Sequence, residues 1–177
     1  ELKARTAKNG RQVFVARAQE GGMVAETVVW DSLASAIRGR VILPGDACYD
    51  EERQIRNGLI DRRPAVIVQC SDTTDVVSAV EFARAHDLLV SIRGGGHGVA
   101  GNAMNDGGLV IDLSQMRAVH VDPVRRTARI QGGATWADLD RETQLYGLAT
   151  PGGVVSTTGV GGLTLHGGMG HLRSKMA

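Results

Sequence analysis

Ala65-Val66-Ile67-Val68-Gln69-Cys70, Ser71-Asp72-Thr73-Thr74-Asp75 and Leu88-Leu89-Val90-Ser91-Ile92, running straight into Arg93-Gly94-Gly95-Gly96-His97-Gly98, form the most informative stretch of the chain. The first run is short, apolar and rich in β-branched residues, and turn formers bound it, so it reads as a buried strand. Ser71 to Asp75 offers an N-cap and an acidic first turn. The helix it opens is expected to run to about His86, with Val76, Val80 and Ala83 on its core face. A second strand follows at Leu88 to Ile92. Strand, helix and strand with short connections make a βαβ unit, which predicts that the two strands are parallel. The glycine cluster then sits at a strand's C-terminal end, where side-chain-free backbone lets N–H groups approach an anion.

Downstream the pattern changes. Leu109-Val110-Ile111-Asp112, Ala118-Val119-His120-Val121 and Thr127-Ala128-Arg129-Ile130 are short strands separated by turns such as Asp122-Pro123, which predicts an antiparallel section. A helix is expected over residues 135–146, with Leu139, Thr143 and Tyr146 in register. Upstream, residues 32–37 read as a helix, Pro44-Gly45 as a break, and residues 50–58 as a second helix with Ile55 and Leu59 on one face. Residues 1–30 carry no sustained period, beyond a short strand at Gln12-Val13-Phe14-Val15-Ala16-Arg17 and a turn at Gly21-Gly22. The fold class is therefore α+β: a small parallel βαβ unit, then a mainly antiparallel β section with helices.

The chain has 177 residues, 42% of them hydrophobic and 22% charged, enough for one domain with a real core. A formal charge of +1 supplies no cationic field, so no nucleic-acid partner is expected. No apolar stretch approaches the roughly 18 residues of a membrane span, so no membrane partner is expected either. Without a visible signal peptide, and with Cys48 and Cys70 in no CxxC pair, the expectation is a reduced cytoplasmic protein, with export left open. His166 and His171 have no evident third ligand, so no metal is expected. Gly occurs 24 times and aromatic residues make up 3%, and the glycines cluster.

The second cluster is Pro151-Gly152-Gly153-Val154-Val155-Ser156-Thr157-Thr158-Gly159-Val160-Gly161-Gly162. Two such loops fit a long anionic ligand touched at two places, or equally two tight turns of a small domain. Gly96-x-Gly98-x-x-Gly101 spells a nicotinamide-dinucleotide fingerprint. That fingerprint needs a helix N-terminus facing the pyrophosphate. After Gly101 the chain instead runs Asn102-Ala-Met-Asn105-Asp106-Gly107-Gly108, a string of helix breakers.

Taken in order, Arg93-Gly94-Gly95-Gly96-His97, Asp106-Gly107-Gly108-Leu-Val-Ile-Asp112, Gly132-Gly133-Ala-Thr-Trp136 and Pro151-Gly152-Gly153 through Gly162 resemble the FAD-binding domain of the berberine bridge enzyme-like oxidoreductases, in the vanillyl-alcohol oxidase superfamily, whose FAD-binding domains are of the PCMH type. The similarity runs over residues 31–175, with 61–177 as the recognisable core of a FAD-binding domain covering 31–177. The resemblance implies that Arg93, Gly94, Gly95, Gly96 and Gly98 wrap the FAD pyrophosphate and that His97 bonds covalently to the 8α-methyl of the flavin. It further implies that Gly159, Val160, Gly161, Gly162 and Leu163 line the flavin, with Val155 and Met169 nearby. Many members add a cysteinyl link at the position of Val155. Valine forms no thioether, so a single histidyl linkage is expected. For Arg93 two roles stay open: neutralising phosphate, or anchoring the strand end by pairing with an acid.

The family's chains usually continue past the position of Lys175 and add a substrate domain that carries the catalytic base. This sequence stops at Arg173-Ser174-Lys175-Met176-Ala177, and His171 stands where many bacterial members have Trp. The expectation is therefore the FAD-binding part of an oxidase with its substrate domain absent and no catalytic base assignable. The parent reaction implied is hydride transfer from an alcohol, sugar or amine-type carbon to FAD, with O₂ as acceptor. The alternatives are a non-catalytic flavin- or partner-binding module and, behind it, a nicotinamide-dependent dehydrogenase. An exposed sheet edge is also expected, to be covered by self-association or by a chain supplying the other half.

Overall fold

Val66, Ile67, Val68 and Gln69 are buried, and so are Leu109, Val110, Ile111 and Asp112. The two runs lie side by side as β4 (Val66–Gln69) and β6 (Leu109–Asp112), paired in parallel with Val66 opposite Leu109 and Gln69 opposite Asp112. A computed structural model describes residues 3–6, 12–15, 30–172 and 174. Within it, β3 (Arg40–Ile42), β4, β6 and β5 (Val90–Arg93) form a four-stranded sheet in the order β3-β4-β6-β5. Only the β3–β4 pair is antiparallel. β1 (Lys3–Thr6) pairs antiparallel with β2 (Gln12–Val15), as does β7 (Val119–Asp122) with β8 (Thr127–Ile130). The expected turn at Gly21-Gly22 lies outside the described residues.

The helices are α1 (Trp30–Ala36), α2 (Tyr49–Glu52), α3 (Thr73–Ala85), α4 (Trp136–Gln144) and α5 (Val160–His166). α1 and α3 cover one face of the sheet, where Leu33, Ala79 and Ala83 meet Val66, Val68, Leu109 and Ile111. On the other face Ile67 and Val110 pack with Ile42, Tyr49 and Met104. A third cluster joins Trp136 and Leu139 of α4 to Val160 of α5. Asp72 caps α3, its carboxylate accepting from the N–H groups of Thr74 and Asp75 at 2.8 and 3.1 Å.

Four expectations need correction. β6 is not part of an antiparallel section: it inserts between the strands of the βαβ unit, so β4 and β5 are each parallel to β6 rather than adjacent. The reason lies in the residues themselves. Leu109-Val110-Ile111 is continuously apolar, as a strand covered on both faces must be, whereas Val90-Ser91-Ile92-Arg93 alternates, as an edge strand does. Ile92 is accordingly 60% exposed.

On α3 the buried stripe is Asp75, Ala79 and Ala83, and Val80 is 47% exposed. The stripe turns toward Asp75 because its carboxylate accepts from the backbone N–H groups of Arg38, Gly39 and Ser71. α4 ends at Gln144, leaving Tyr146 50% exposed on the following turn.

The helix expected over residues 50–58 is only the short α2, and Leu59 is 93% exposed. Beyond Glu52 the backbone is spent on another loop. Arg93 Nη1 donates to the carbonyls of Glu52 and Gln54, and the N–H of Arg56 donates to Gly96 O at 3.1 Å.

Asp138, in the first turn of α4, accepts from Thr135 N and Oγ1 and from Arg117 Nε and Nη2 at 2.7–3.0 Å. Chiefly the Arg117 hydrogen bond pulls its pKa from 3.8 down to about 2. A carboxylate depressed in the folded state contributes stability above its unfolded pKa and loses it as pH falls through the folded value. The advantage of the wild type over Asp138→Asn is therefore expected to be about 1 kcal/mol at pH 6, reduced because the Arg117 side chain is half exposed and screened. It should shrink between about pH 4 and pH 2. Urea titrations followed by circular dichroism across that range check it; a constant difference would refute it.

Candidate functional site

Three glycine-bearing segments converge beyond the C-terminal end of β5. A Cβ placed on Gly95 would stand 2.2 Å from Gly159 N, and one on Gly159 would stand 2.4 Å from Gly95 N. A Cβ on Gly94 would stand 2.9 Å from Gly132 O, and one on Gly161 3.1 Å from the same oxygen. The side-chain-free backbone at these positions lets the loops touch one another. At Gly98 and Gly162, by contrast, a Cβ would meet nothing within 4 Å. Glycine thus has two roles here: loop-to-loop contact at Gly94, Gly95, Gly159 and Gly161, and open space at Gly98 and Gly162.

Among the described residues, the N–H groups of Gly94, Gly95, Gly96, His97 and Gly98 donate to no protein oxygen. Gly96 has φ +65, and runs of N–H groups that include such a left-handed residue form anion-binding concavities. No helix follows: residues 94–108 are loop and turn, so the fingerprint-like Gly96-x-Gly98-x-x-Gly101 has no helix N-terminus to offer a pyrophosphate.

His97 projects from this loop to the second one. Its Nε2 lies 2.8 Å from Thr157 Oγ1 and its Nδ1 3.2 Å from Thr158 Oγ1. Burial lowers its pKa from 6.5, and the nearby Arg56 guanidinium lowers it further, so the ring is neutral at neutral pH and keeps one nitrogen lone pair.

The contacts Arg93 makes are those of an anchor. Its Nη2 bonds Asp112 Oδ2 at 2.5 Å and Glu52 Oε2 at 3.2 Å, with the Asp112 side chain fully buried. The guanidinium ties β5 to β6 and to the segment after α2, and its charge is already matched.

Of the remaining expected site residues, Gly159 caps α5, while Val160, Gly161, Gly162 and Leu163 form its first turn. Val160 is buried against Trp136 and Leu139, and Leu163 packs at the margin of the same cluster. Val155 and Met169 are exposed. Trp136 stands in the sequence as one member of a motif, yet its indole occupies the space a side chain on Gly152 or Gly153 would need, at 2.4–3.0 Å. Thr157, Thr158, Arg56 and Asn57, whose Nδ2 donates to Val99 O at 2.9 Å, were not anticipated. The two threonines sit inside the second glycine loop, where the glycines are the more conspicuous signal. Among the described residues no His, Cys, Asp or Glu side chains group as a metal site would require, and no helix is long and apolar enough to cross a membrane.

The sequence profile of the FAD binding domain matches residues 64–176, which includes both glycine loops and Trp136. The chain belongs to the FAD-binding domain family of the FAD-linked oxidoreductases. It is 40% identical over 140 residues to (R)-6-hydroxynicotine oxidase of Paenarthrobacter nicotinovorans, covering 79% of this chain and 31% of that one. The solved structure of 6-hydroxy-D-nicotine oxidase from Arthrobacter nicotinovorans superposes with a TM-score of 0.74 at 40% identity, over 77% of this chain and 30% of that one. A BBE-like protein of Physcomitrella patens gives a TM-score of 0.76 at 25% identity, over 81% and 32%. The resemblance read from the four motifs and the PCMH-type fold are thereby borne out. This FAD-binding domain spans about a third of the length of the relatives it matches.

The residues present fit FAD. A dinucleotide diphosphate needs several N–H donors without competing acceptors, which residues 94–98 offer, and room beside them, which Gly98 and Gly162 leave open.

Proposed function

We propose that this chain is the FAD-binding portion of a flavin-dependent oxidase that holds its cofactor through a single covalent link at His97. The observation that carries the reading is the run of five N–H groups at residues 94–98 that have no protein acceptor among the described residues, with a neutral imidazole at the fourth of them, His97. The N–H groups hold the diphosphate. Gly159, Gly161 and Gly162, with Val155 and Met169, border the ring system, while Val160 and Leu163 seat the turn that carries these glycines. Arg93 keeps the loop in place rather than touching phosphate.

When bound, FAD supplies acceptance of a hydride from an alcohol, sugar or amine-type carbon and delivery of the electrons to O₂. The relatives named as oxidases support that acceptor. Attachment would exchange one C–H bond of the 8α-methyl and the imidazole N–H of His97 for a C–N bond, and the two hydrogens, with their two electrons, would pass to O₂ as hydrogen peroxide. His97 can do its part because its ring is neutral, and Val155 offers no sulfur for a second link. The substrate and the base that deprotonates it belong to the whole protein. The exposed Val90 and Ile92 on the edge strand β5 support further chain or a second copy packing there.

The test is the intact mass of the denatured protein, read beside its visible spectrum. A mass increment of one FAD is expected, lost completely in His97→Ala while that variant keeps its circular dichroism and a dissociable yellow flavin. An apo mass without colour would overturn the reading. Bound flavin without peroxide production on any oxidisable donor would favour the non-catalytic module.

A further inference from the structure

We infer that Thr157 and Thr158 are positioning residues for His97: their adjacent hydroxyls hold the two ring nitrogens and select which one carries the proton. The inference rests on the reading of His97 as the attachment residue.

The clamp crosses between loops. His97 belongs to the first glycine loop and both threonines to the second, two residues and one residue before Gly159. The backbone contact between Gly95 and Gly159 sets the spacing, so the hydroxyls reach both nitrogens, at 2.8 and 3.2 Å. Thr158 is itself fixed. Its N–H donates to Val155 O at 3.0 Å, and its carbonyl accepts from Trp136 N at 3.0 Å. A histidine on a glycine loop would otherwise sample several rotamers. Here its ring is tied to backbone that Trp136 holds.

The chemistry of the partners matters as much as their geometry. A neutral imidazole has one N–H donor and one lone pair, and a hydroxyl can serve either. The more familiar orienting partner of a histidine is a carboxylate, whose charge favours the imidazolium. Among the described residues no carboxylate bonds this ring, and the charged group that acts on it is Arg56, a cation. Hydroxyls therefore orient the ring without stabilising its protonated form. The ring keeps the lone pair that attachment uses, and the threonine hydroxyl that accepts from the ring N–H is the first acceptor for the proton it loses.

Two readouts on the full chain test this, one without flavin. Long-range proton–nitrogen NMR of the flavin-free protein reports the His97 tautomer, and a time course of intact mass after FAD addition reports attachment. Thr157→Val and Thr158→Val keep the side-chain shape and remove one hydroxyl each. Each is expected to change the tautomer ratio at least threefold and to slow attachment about tenfold, the effect of one hydrogen bond of ordinary strength. Thr157→Ser should restore both values, and circular dichroism should not move. Tautomer ratios and attachment rates within twofold of wild type in both valine variants would overturn the inference. If the wild type attaches no flavin, the attachment reading fails on its own, and the tautomer ratio still decides the clamp.

Discussion

Arg93→Met is expected to lower the unfolding free energy of the flavin-free protein by about 3 kcal/mol, the usual scale for stranding one partner of a buried ion pair. Asp112 is 0% exposed, and Arg93 Nη2 is the cation at its Oδ2. Gln69 Nε2 at 3.3 Å and the Ser114 N–H and hydroxyl at 2.9 and 3.1 Å also reach the Asp112 carboxylate, but they are neutral and leave its charge unmatched. The same substitution frees the carbonyls of Glu52, at the end of α2, and of Gln54, in the irregular segment after it. Combining it with Asp112→Asn should recover part of the loss, because the stranded charge is then gone. Urea titrations of the flavin-free variants measure both. A loss under 1 kcal/mol would return Arg93 to the phosphate-binding role.

Gly95→Ala and Gly159→Ala are each expected to cost about 3 kcal/mol, the upper end for overpacking. The obstruction is backbone against backbone, at 2.2 and 2.4 Å, where no side chain can swing aside. The loops must part by most of an ångström, and with them His97 from Thr157 and Thr158. Flavin retention should fall at least tenfold in both variants. Gly162→Ala is the informative contrast. Its Cβ meets nothing, and alanine suits the helix α5 better than glycine by about 0.5–1 kcal/mol. It should fold as well as wild type or better, yet weaken flavin retention if the open space beside Gly162 is where the cofactor lies. Equal stability of Gly95→Ala and wild type would show that the loops do not meet as described.

The strands at 66–69 and 90–93, the capped helix between them and the strand pair at 119–130 all arise from local signals: apolar runs, an Asp cap, a turn at Pro123. So does the order of the four glycine motifs, on which the family resemblance rests. Hydrophobic period, capping and turn chemistry act within a few residues, and the bare chain displays them. The insertion of β6 between β4 and β5 was half legible, in the contrast between Leu109-Val110-Ile111 and the alternation of Val90 to Arg93. Pairing order is a contest between distant segments for two-sided burial, which periodicity alone does not rank. Three matters belonged to the folded chain. Residues 53–58 look helical in isolation, but Gln54 gives its carbonyl to Arg93 and Arg56 its N–H to Gly96. Arg93 reads equally as a phosphate ligand or a strand-end anchor, and its contacts with Asp112 and Glu52 appear only when the fold brings them to it. Thr157 and Thr158 are ordinary loop residues until Gly95 and Gly159 close against each other and bring His97 within reach. In each case the deciding partner lies 19 or more residues away along the chain, and only burial and backbone contact bring it near.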